Sequence, residues 1–324
     1  MRPQSDIDDL EEQILNKLFI EPSPHIRSKM TTQKIMLHVI IALLPTLAAA
    51  TYIYGIRALL TVVVCAASCV IFELLFELIT KRPRTINDLS AVVTGMLLAY
   101  NLPPTIPLYM AVIGCFFAIV VTKQFFGGIG QNFANPAIVG RIVLMLSFTS
   151  YMTTWSEPFF YNQPDAVTTA TPLACSGDQL PSLFEMFFVK SGCIGECCSA
   201  AIILGGLYLI VMRIINPLVP VVFIGTVALG TWIGGVDVAY GVLSGGLLLG
   251  SFFMATDYST TPITVKGQVI FAFGCGLVTL LIRFFGNMPE GVSYSILLMN
   301  ILTPWIDKLT RPRPFGAKKE VKAK

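Results

Sequence analysis

The feature that most constrains this chain is the run "IMLHVIIALLPTLAAATYIY" at 35–54, echoed by "AAIILGGLYLIVM" at 200–212. About 20 apolar residues in helical form cross the hydrocarbon core of a bilayer. Lipid leaves only helices and closed barrels as spanning structures. Only 13% of the 324 residues are charged, against roughly 25% in soluble domains. A net charge of +3 is therefore a matter of topology, and no nucleic-acid partner is expected.

Hydropathy and its breaks predict an all-α polytopic membrane protein with about ten spans. The first five lie near 35–54, 58–79, 88–101, 105–122 and 133–149. The second five lie near 197–213, 217–233, 238–254, 268–282 and 292–304. The domains expected are a cytoplasmic segment 1–34, a first membrane half 35–149 and a loop 150–196. A second half 197–304 and a basic tail 305–324 follow. The first 30 residues are polar and have no leading apolar region, so no cleavable signal peptide is expected.

Lys and Arg of short loops gather on the cytoplasmic side. With the N-terminus inside, that side holds Lys81, Arg82, Arg84, Lys123, Arg213, Lys266 and the tail. The outside keeps only Arg57, Lys190 and Arg283 of the 22 basic residues. Both termini are then cytoplasmic, and the 150–196 segment lies outside. Loops of that length are usually functional or disordered, and "LFEMFFV" within it predicts partial folding against the membrane.

The two halves echo each other. "TGMLLAYNLPP" (94–104) matches "SGGLLLGSFFM" (244–254), and "VTKQFFGGIG" (121–130) matches "LIRFFGNMPE" (281–290). Five spans per half make these inverted repeats, an arrangement in which sites form at interrupted helices near the midplane. The competing explanation is chance similarity between Gly-rich apolar helices.

Several residues invite chemistry. Carboxylates in or beside spans are costly and are functional candidates by default. Glu73 and Glu77 sit i, i+4 on the second span, Asp88 and Asp257 flank the third and eighth, and Glu196 opens the sixth. Ion coupling competes in each case with a helix-end or subunit-contact role. Cys193, Cys197 and Cys198, with Cys175 upstream, match no iron–sulfur or zinc spacing, so no metal site is expected. Packing, with or without a disulfide to Cys175, is the expectation. "FGGIGQN" lacks the third glycine and the preceding strand of a dinucleotide fingerprint. "DAVTTATPLA" (165–174) reads on its own as a solvated loop, since Thr and Pro are ordinary turn material.

"DLSAVVTGMLLAYNLPPTIPLY", "KQFFGGIGQNFANPAIVGR", "GCIGECCSAAIILGGLYLIVMRIINPLVP" and "GSFFMATDYSTTPIT" resemble the signature blocks of the RnfD/NqrB family. The resemblance runs over roughly residues 23–310, in family order. It is nearer RnfD, because NqrB-type subunits carry a longer N-terminal extension. It implies electron transfer coupled to sodium or proton movement in a redox complex, with FMN joined through its phosphate to a threonine hydroxyl. An extracytoplasmic flavin transferase taking FMN from FAD is implied as a maturation partner. The family's acceptor pattern falls on Asp165-Ala166-Val167-Thr168-Thr169-Ala170-Thr171, which makes Thr171 the acceptor. Ala166 stands where glycine is usual and Thr169 where Gly or Ser is usual. Ala255-Thr256 lacks the upstream aspartate and falls on the cytoplasmic side. The other Rnf subunits, including a second threonine-linked FMN subunit, are implied partners, and a second, non-covalent flavin such as riboflavin is implied as well. A quinone-reducing NqrB-type subunit and a flavin-free channel or transporter on the same repeat stay open as alternatives.

Overall fold

The structure is a computed structural model that describes residues 30–82, 85–162, 168–169, 182–286 and 291–312. Helix α1 (Thr32–Tyr54) starts at Thr31, whose hydroxyl accepts from Lys34 N–H at 3.3 Å. It ends at Gly55, which also begins α2 (Ile56–Thr80). Gly55 has φ of 77°, a left-handed conformation that glycine adopts without strain, so one residue reverses the chain. With 23 and 25 residues, these helices measure about 35 and 38 Å at 1.5 Å per residue. Together with α11 (Val265–Phe285) they are long and apolar enough to cross a bilayer.

The other apolar helices are shorter. After a 3₁₀ turn at Ile86–Asp88 comes α3 (Ser90–Tyr100), whose 11 residues reach about 16 Å, half of a hydrocarbon core. Almost every side chain of α3 is buried, as expected for a helix that is apolar all round and sits at the centre of a bundle. Gly95 lets it approach α2 closely: a Cβ there would lie 2.6 Å from the Ala66 Cα. Helix α4 (Leu108–Phe116) widens into a π-helical stretch at Phe117–Gln124. Helix α5 (Pro136–Ser147) has Asn135 as its N-cap and Pro136 in its first turn, where a missing N–H costs nothing.

Between the halves lie a single turn at Thr149–Met152, an antiparallel strand pair and α6 (Leu183–Phe188). Strand β1 (Trp155–Ser156) pairs with β2 (Thr168–Thr169) in the register Trp155↔Thr169 and Ser156↔Thr168. The "LFEMFFV" stretch is indeed folded. Ser182 and Glu185 form a reciprocal capping box that starts α6, and Met186 is buried.

The second half comprises α7 (Ser199–Val211), α8 (Leu218–Ile233), α9 (Val238–Leu243), α10 (Leu247–Leu249), α11 and α12 (Val292–Thr310). A π-helical stretch, Gly250–Met254, prolongs α10. The eighth run is not one helix. It breaks at 244–246, where Gly245 takes φ of 66°. Helix α1 packs on α7, α5 on α12, α2 on α3 and α4, and α8 on α11. Among the described residues, the regular structure is helical except for the two short strands.

Candidate functional site

A cavity opens where the ends of α1, α3, α4, α7 and α10 meet the glycine turn before α5. Ser90, Val93, Thr94 and Leu97 face it from one side of α3, at the i, i+3, i+4, i+7 spacing of a helix face. Ile35, Met36 and Val39 of α1 make an apolar wall, with Phe252 and Phe253 from the π stretch. The polar lining includes Lys123, Asn132, Asn135, Thr256, Asp257 and Ser259. An apolar slot with a few convergent polar groups is the usual form of a small-molecule or cofactor site.

Local hydrogen bonds set these polar groups. The Asn135 side chain caps α5 by accepting from Ala137 N–H at 3.0 Å and donates to the Met254 carbonyl at 3.4 Å. Asn132 donates to the Ala134 carbonyl at 2.9 Å. Asp257 accepts from the Ser259 hydroxyl at 3.0 Å and the Thr260 hydroxyl at 3.4 Å. Burial raises its carboxyl above the usual range, and hydrogen bonds from Ser259, Thr260 and Asn132 oppose that rise.

Behind Lys123 lies a buried acidic network. Lys123 Nζ donates to Glu73 Oε1 at 2.7 Å and to the Ser90 hydroxyl at 2.8 Å. Gln124 Nε2 donates to the same Glu73 oxygen at 2.9 Å. Thr85 gives its backbone N–H to Glu77 Oε1 at 3.0 Å, and its hydroxyl to Glu77 and Glu73 at 2.5 and 3.3 Å. The i, i+4 pair of α2 thus faces inward. Asp88 stands at the end of the adjoining 3₁₀ turn.

A second polar region surrounds the helix breaks. At the end of α3, Arg141 donates to Asn101 Oδ1 at 2.6 Å, to Ser293 Oγ at 3.1 Å and to Cys193 Sγ at 3.6 Å. At the end of α9, Arg283 donates to the carbonyls of Gly241 and Ser244 at 2.6 and 3.1 Å. Lys190 donates to the Leu243 carbonyl and to Ser199 Oγ. Burial lowers the Lys190 ammonium to about 8, and the nearby Glu196 carboxylate works against that. Glu196 itself ends a 3₁₀ turn ahead of α7, is buried, and has no hydrogen-bond partner at Oε1 among the described residues. Gly246 leaves room for that oxygen: a Cβ there would lie 2.9 Å from it.

The sequence candidates thus fall in separate places. Glu73 and Glu77 are together, Asp257 is on the cavity, and Glu196 is at the breaks. Thr168 and Thr169 form β2, while Asp165, Ala170 and Thr171 lie outside the described residues. Cys175 also lies outside them; Cys193, Cys197 and Cys198 are buried thiols. Sequence reasoning overlooked Arg141, although a lone arginine inside "PAIVGRIVLML" is the kind of intramembrane charge that marks a site. It treated Lys123 and Lys190 only as topology markers.

Known proteins share this sequence over nearly its full length. The family described as NQR2, RnfD, RnfE matches residues 19–316. The chain is 48% identical to the D-type subunit of the Na(+)-translocating ferredoxin:NAD(+) oxidoreductase complex of Acetobacterium woodii, covering 94% of this chain and 98% of that one. It is 45% identical to the proton-translocating counterpart of Clostridium ljungdahlii, over 95% and 99%. It is 36% identical to the D-type subunit of the ion-translocating oxidoreductase complex of Stutzerimonas stutzeri, over 89% and 93%. Matched over almost its whole length, the chain belongs to the NQR2, RnfD, RnfE family.

Proposed function

We propose that this chain is the D-type subunit of an Rnf-type ferredoxin:NAD oxidoreductase complex of the bacterial cytoplasmic membrane. It carries FMN on Thr171 and couples electron flow to sodium or proton movement. The observation that carries this reading is the 48% identity across 94% of this chain and 98% of the relative. Residues 165–171 supply the rest: an aspartate six positions before the threonine of an Ala-Thr pair, on the side that the basic residues leave outside. A phosphoester needs an accessible hydroxyl on the transferase's side of the membrane. The β1–β2 ladder ends two residues before Thr171, so the backbone leading to the acceptor is tied to Trp155.

The cavity suits a second, non-covalent flavin such as riboflavin. Its apolar walls fit a flat ring system, and Asn132, Asn135, Thr94 and Ser259 offer the mixed donors and acceptors that a ring edge and a polyol chain require. Flavins supply one- and two-electron chemistry; the residues here bind, orient and exclude water. The packing of α1 on α7 and of α5 on α12 supports two inverted five-helix halves, since equivalent elements of such halves meet across the axis. Glu77, Asp88, Asp257 and Glu196 are the carboxylates available for ion coupling. The partners in this reading are the other Rnf subunits, among them a second threonine-linked FMN subunit, and the extracytoplasmic flavin transferase.

The test is to co-express the chain with a flavin transferase, denature it, and image ultraviolet-excited fluorescence on the gel. Wild type should glow and Thr171→Ala should not, while Thr256→Ala keeps the signal. A dark wild-type band beside a labelled flavoprotein control would overturn the reading.

A further inference from the structure

Helix α6 is pinned along one side and bare along the other. Met186 is buried, and its carbonyl accepts from the Ser199 hydroxyl at 3.2 Å. The Cys198 thiol donates to the Phe187 carbonyl at 3.8 Å, and α6 packs on both α7 and α9. The opposite side carries Leu183, Phe184, Phe187 and Phe188, all exposed among the described residues, with Phe184 at 73%. The rings of Phe184 and Phe188, one turn apart, meet with centroids at 4.9 Å. Glu185 is the one charged residue of the helix, and its carboxylate turns back to the Ser182 N–H at 2.9 Å.

The level of α6 in the molecule says what covers that side. Helix α9 packs on α6 and on α8, and its Gly241 carbonyl accepts from Arg283 in the last turn of α11. It is only about 9 Å long and starts five residues after α8 ends, so what packs on it stays near that level. Trp232 and Ile233 close α8 at 70% and 80% exposure, and Phe284 and Phe285 close α11 exposed as well. Because α11 is long and apolar enough to span a bilayer, its end lies near the hydrocarbon boundary, and Trp232 is the residue type of interfacial belts. Interfacial helices bury an apolar face about 5–10 Å into that boundary. A protein partner would ask for about one hydrogen bond per 100–200 Å². The four exposed side chains of α6 offer none, and lipid asks for none.

We propose that α6 is an interfacial lipid anchor. Leu183, Phe184, Phe187 and Phe188 lie in the bilayer at the headgroup boundary, continuous with Trp232, Phe284 and Phe285. The occupant of this surface is lipid, not another subunit. The anchor fixes the height of the chain at Ser182, while the β1–β2 ladder holds the same 150–196 segment at Trp155 and Ser156. Thr171 lies eleven residues before Ser182, so the anchor also limits how far a flavin carried there can travel from the membrane surface. That consequence rests on the flavin reading above; the anchor does not.

The test uses the complete complex in phospholipid nanodiscs, with a nitroxide attached at Phe184→Cys or Phe188→Cys in a Cys175→Ser background. The described native cysteines are buried and leave the new thiol as the reactive one. Leu281→Cys, on the exposed side of α11, is the lipid reference. Power saturation compares collision with oxygen, which concentrates in lipid, and with a nickel chelate, which stays in water. Labels at 184 and 188 should favour oxygen, as the label at 281 does, in flavin-loaded and flavin-free complex alike. Adding Phe184→Ser and Phe187→Ser should shift the label at 188 toward the chelate. Gel filtration checks that each complex is intact, and Leu183→Cys replaces a position that fails to assemble. A preference for the chelate at 184 and 188 would overturn the proposal, because the face is then in water. Access by neither probe would overturn it too, since another subunit or residues 170–181 then cover the face. Labels that favour oxygen beside a dark wild-type band in the flavin assay keep the anchor and sink the flavin reading instead.

Discussion

The two helix breaks solve one problem by different means. Where α9 stops, the orphaned carbonyls of Gly241, Leu243 and Ser244 are met directly by Arg283 and Lys190. Cations at a helix C-terminus are favourable twice over, as hydrogen-bond donors and as partners of the helix dipole. Where α3 stops, Arg141 reaches side chains instead: Asn101, Ser293 and Cys193. One break is sealed against its own backbone. The other is a junction joining α3, α5, α12 and the segment before α7, so its loss would be felt across both halves.

That contrast is open to test by substitution. Arg141→Met should cost the most, about 4 kcal/mol, because it strands several buried partners at once. Denaturant unfolding of the detergent-solubilised protein would read it, and a loss below about 1 kcal/mol would refute the junction. Arg283→Met leaves two carbonyls without a donor and should cost about 3 kcal/mol in the same assay. Arg141→Lys separates charge from geometry. It keeps the cation but loses the planar fork, so about 1–2 kcal/mol is expected, and a full Met-like loss would mean the fork is everything.

A pH slope tests the same break from the other side. Burial lowers Lys190 from 10.5 to about 8, so between those values the unfolded chain holds a proton that the folded chain has released. Stability should therefore rise with pH through that window, and what is present above 10.5 is lost as pH falls through about 8. Lys190→Met should flatten the slope in thermal unfolding scans from pH 8 to 10.5.

Legibility in the sequence followed the range of each interaction. The long apolar runs already outlined α1, α2 and α11 to within a few residues, because helix formation in lipid depends on local composition. The break at 244–246 carried its own mark in Gly245-Gly246, yet the surrounding hydropathy read straight through it. The i, i+4 spacing of Glu73 and Glu77 placed them on one face of α2, but not which face. Lys123 lies 50 positions from Glu73, and only packing of α4 on α2 joins them. The cavity draws on separate segments of both halves, so no window of sequence could outline it. The isolated Arg141 was the legible signal that local reasoning passed over.

The π-helical stretch from Phe117 to Gln124 acts as a rotary adjustment. Such a stretch accommodates a residue more than an α-helix of equal rise, and each α-helical residue turns the chain by about 100°. Lys123 and Gln124, adjacent in sequence, both reach the same Glu73 oxygen. Removing a single residue between Phe116 and Thr122 would let the helix relax to ordinary winding with both side chains still aimed at Glu73, whereas forcing ordinary winding with every residue kept would swing them about 100° off target. The surplus residue is taken up in the winding, so the wiring between the cavity and α2 should tolerate its loss.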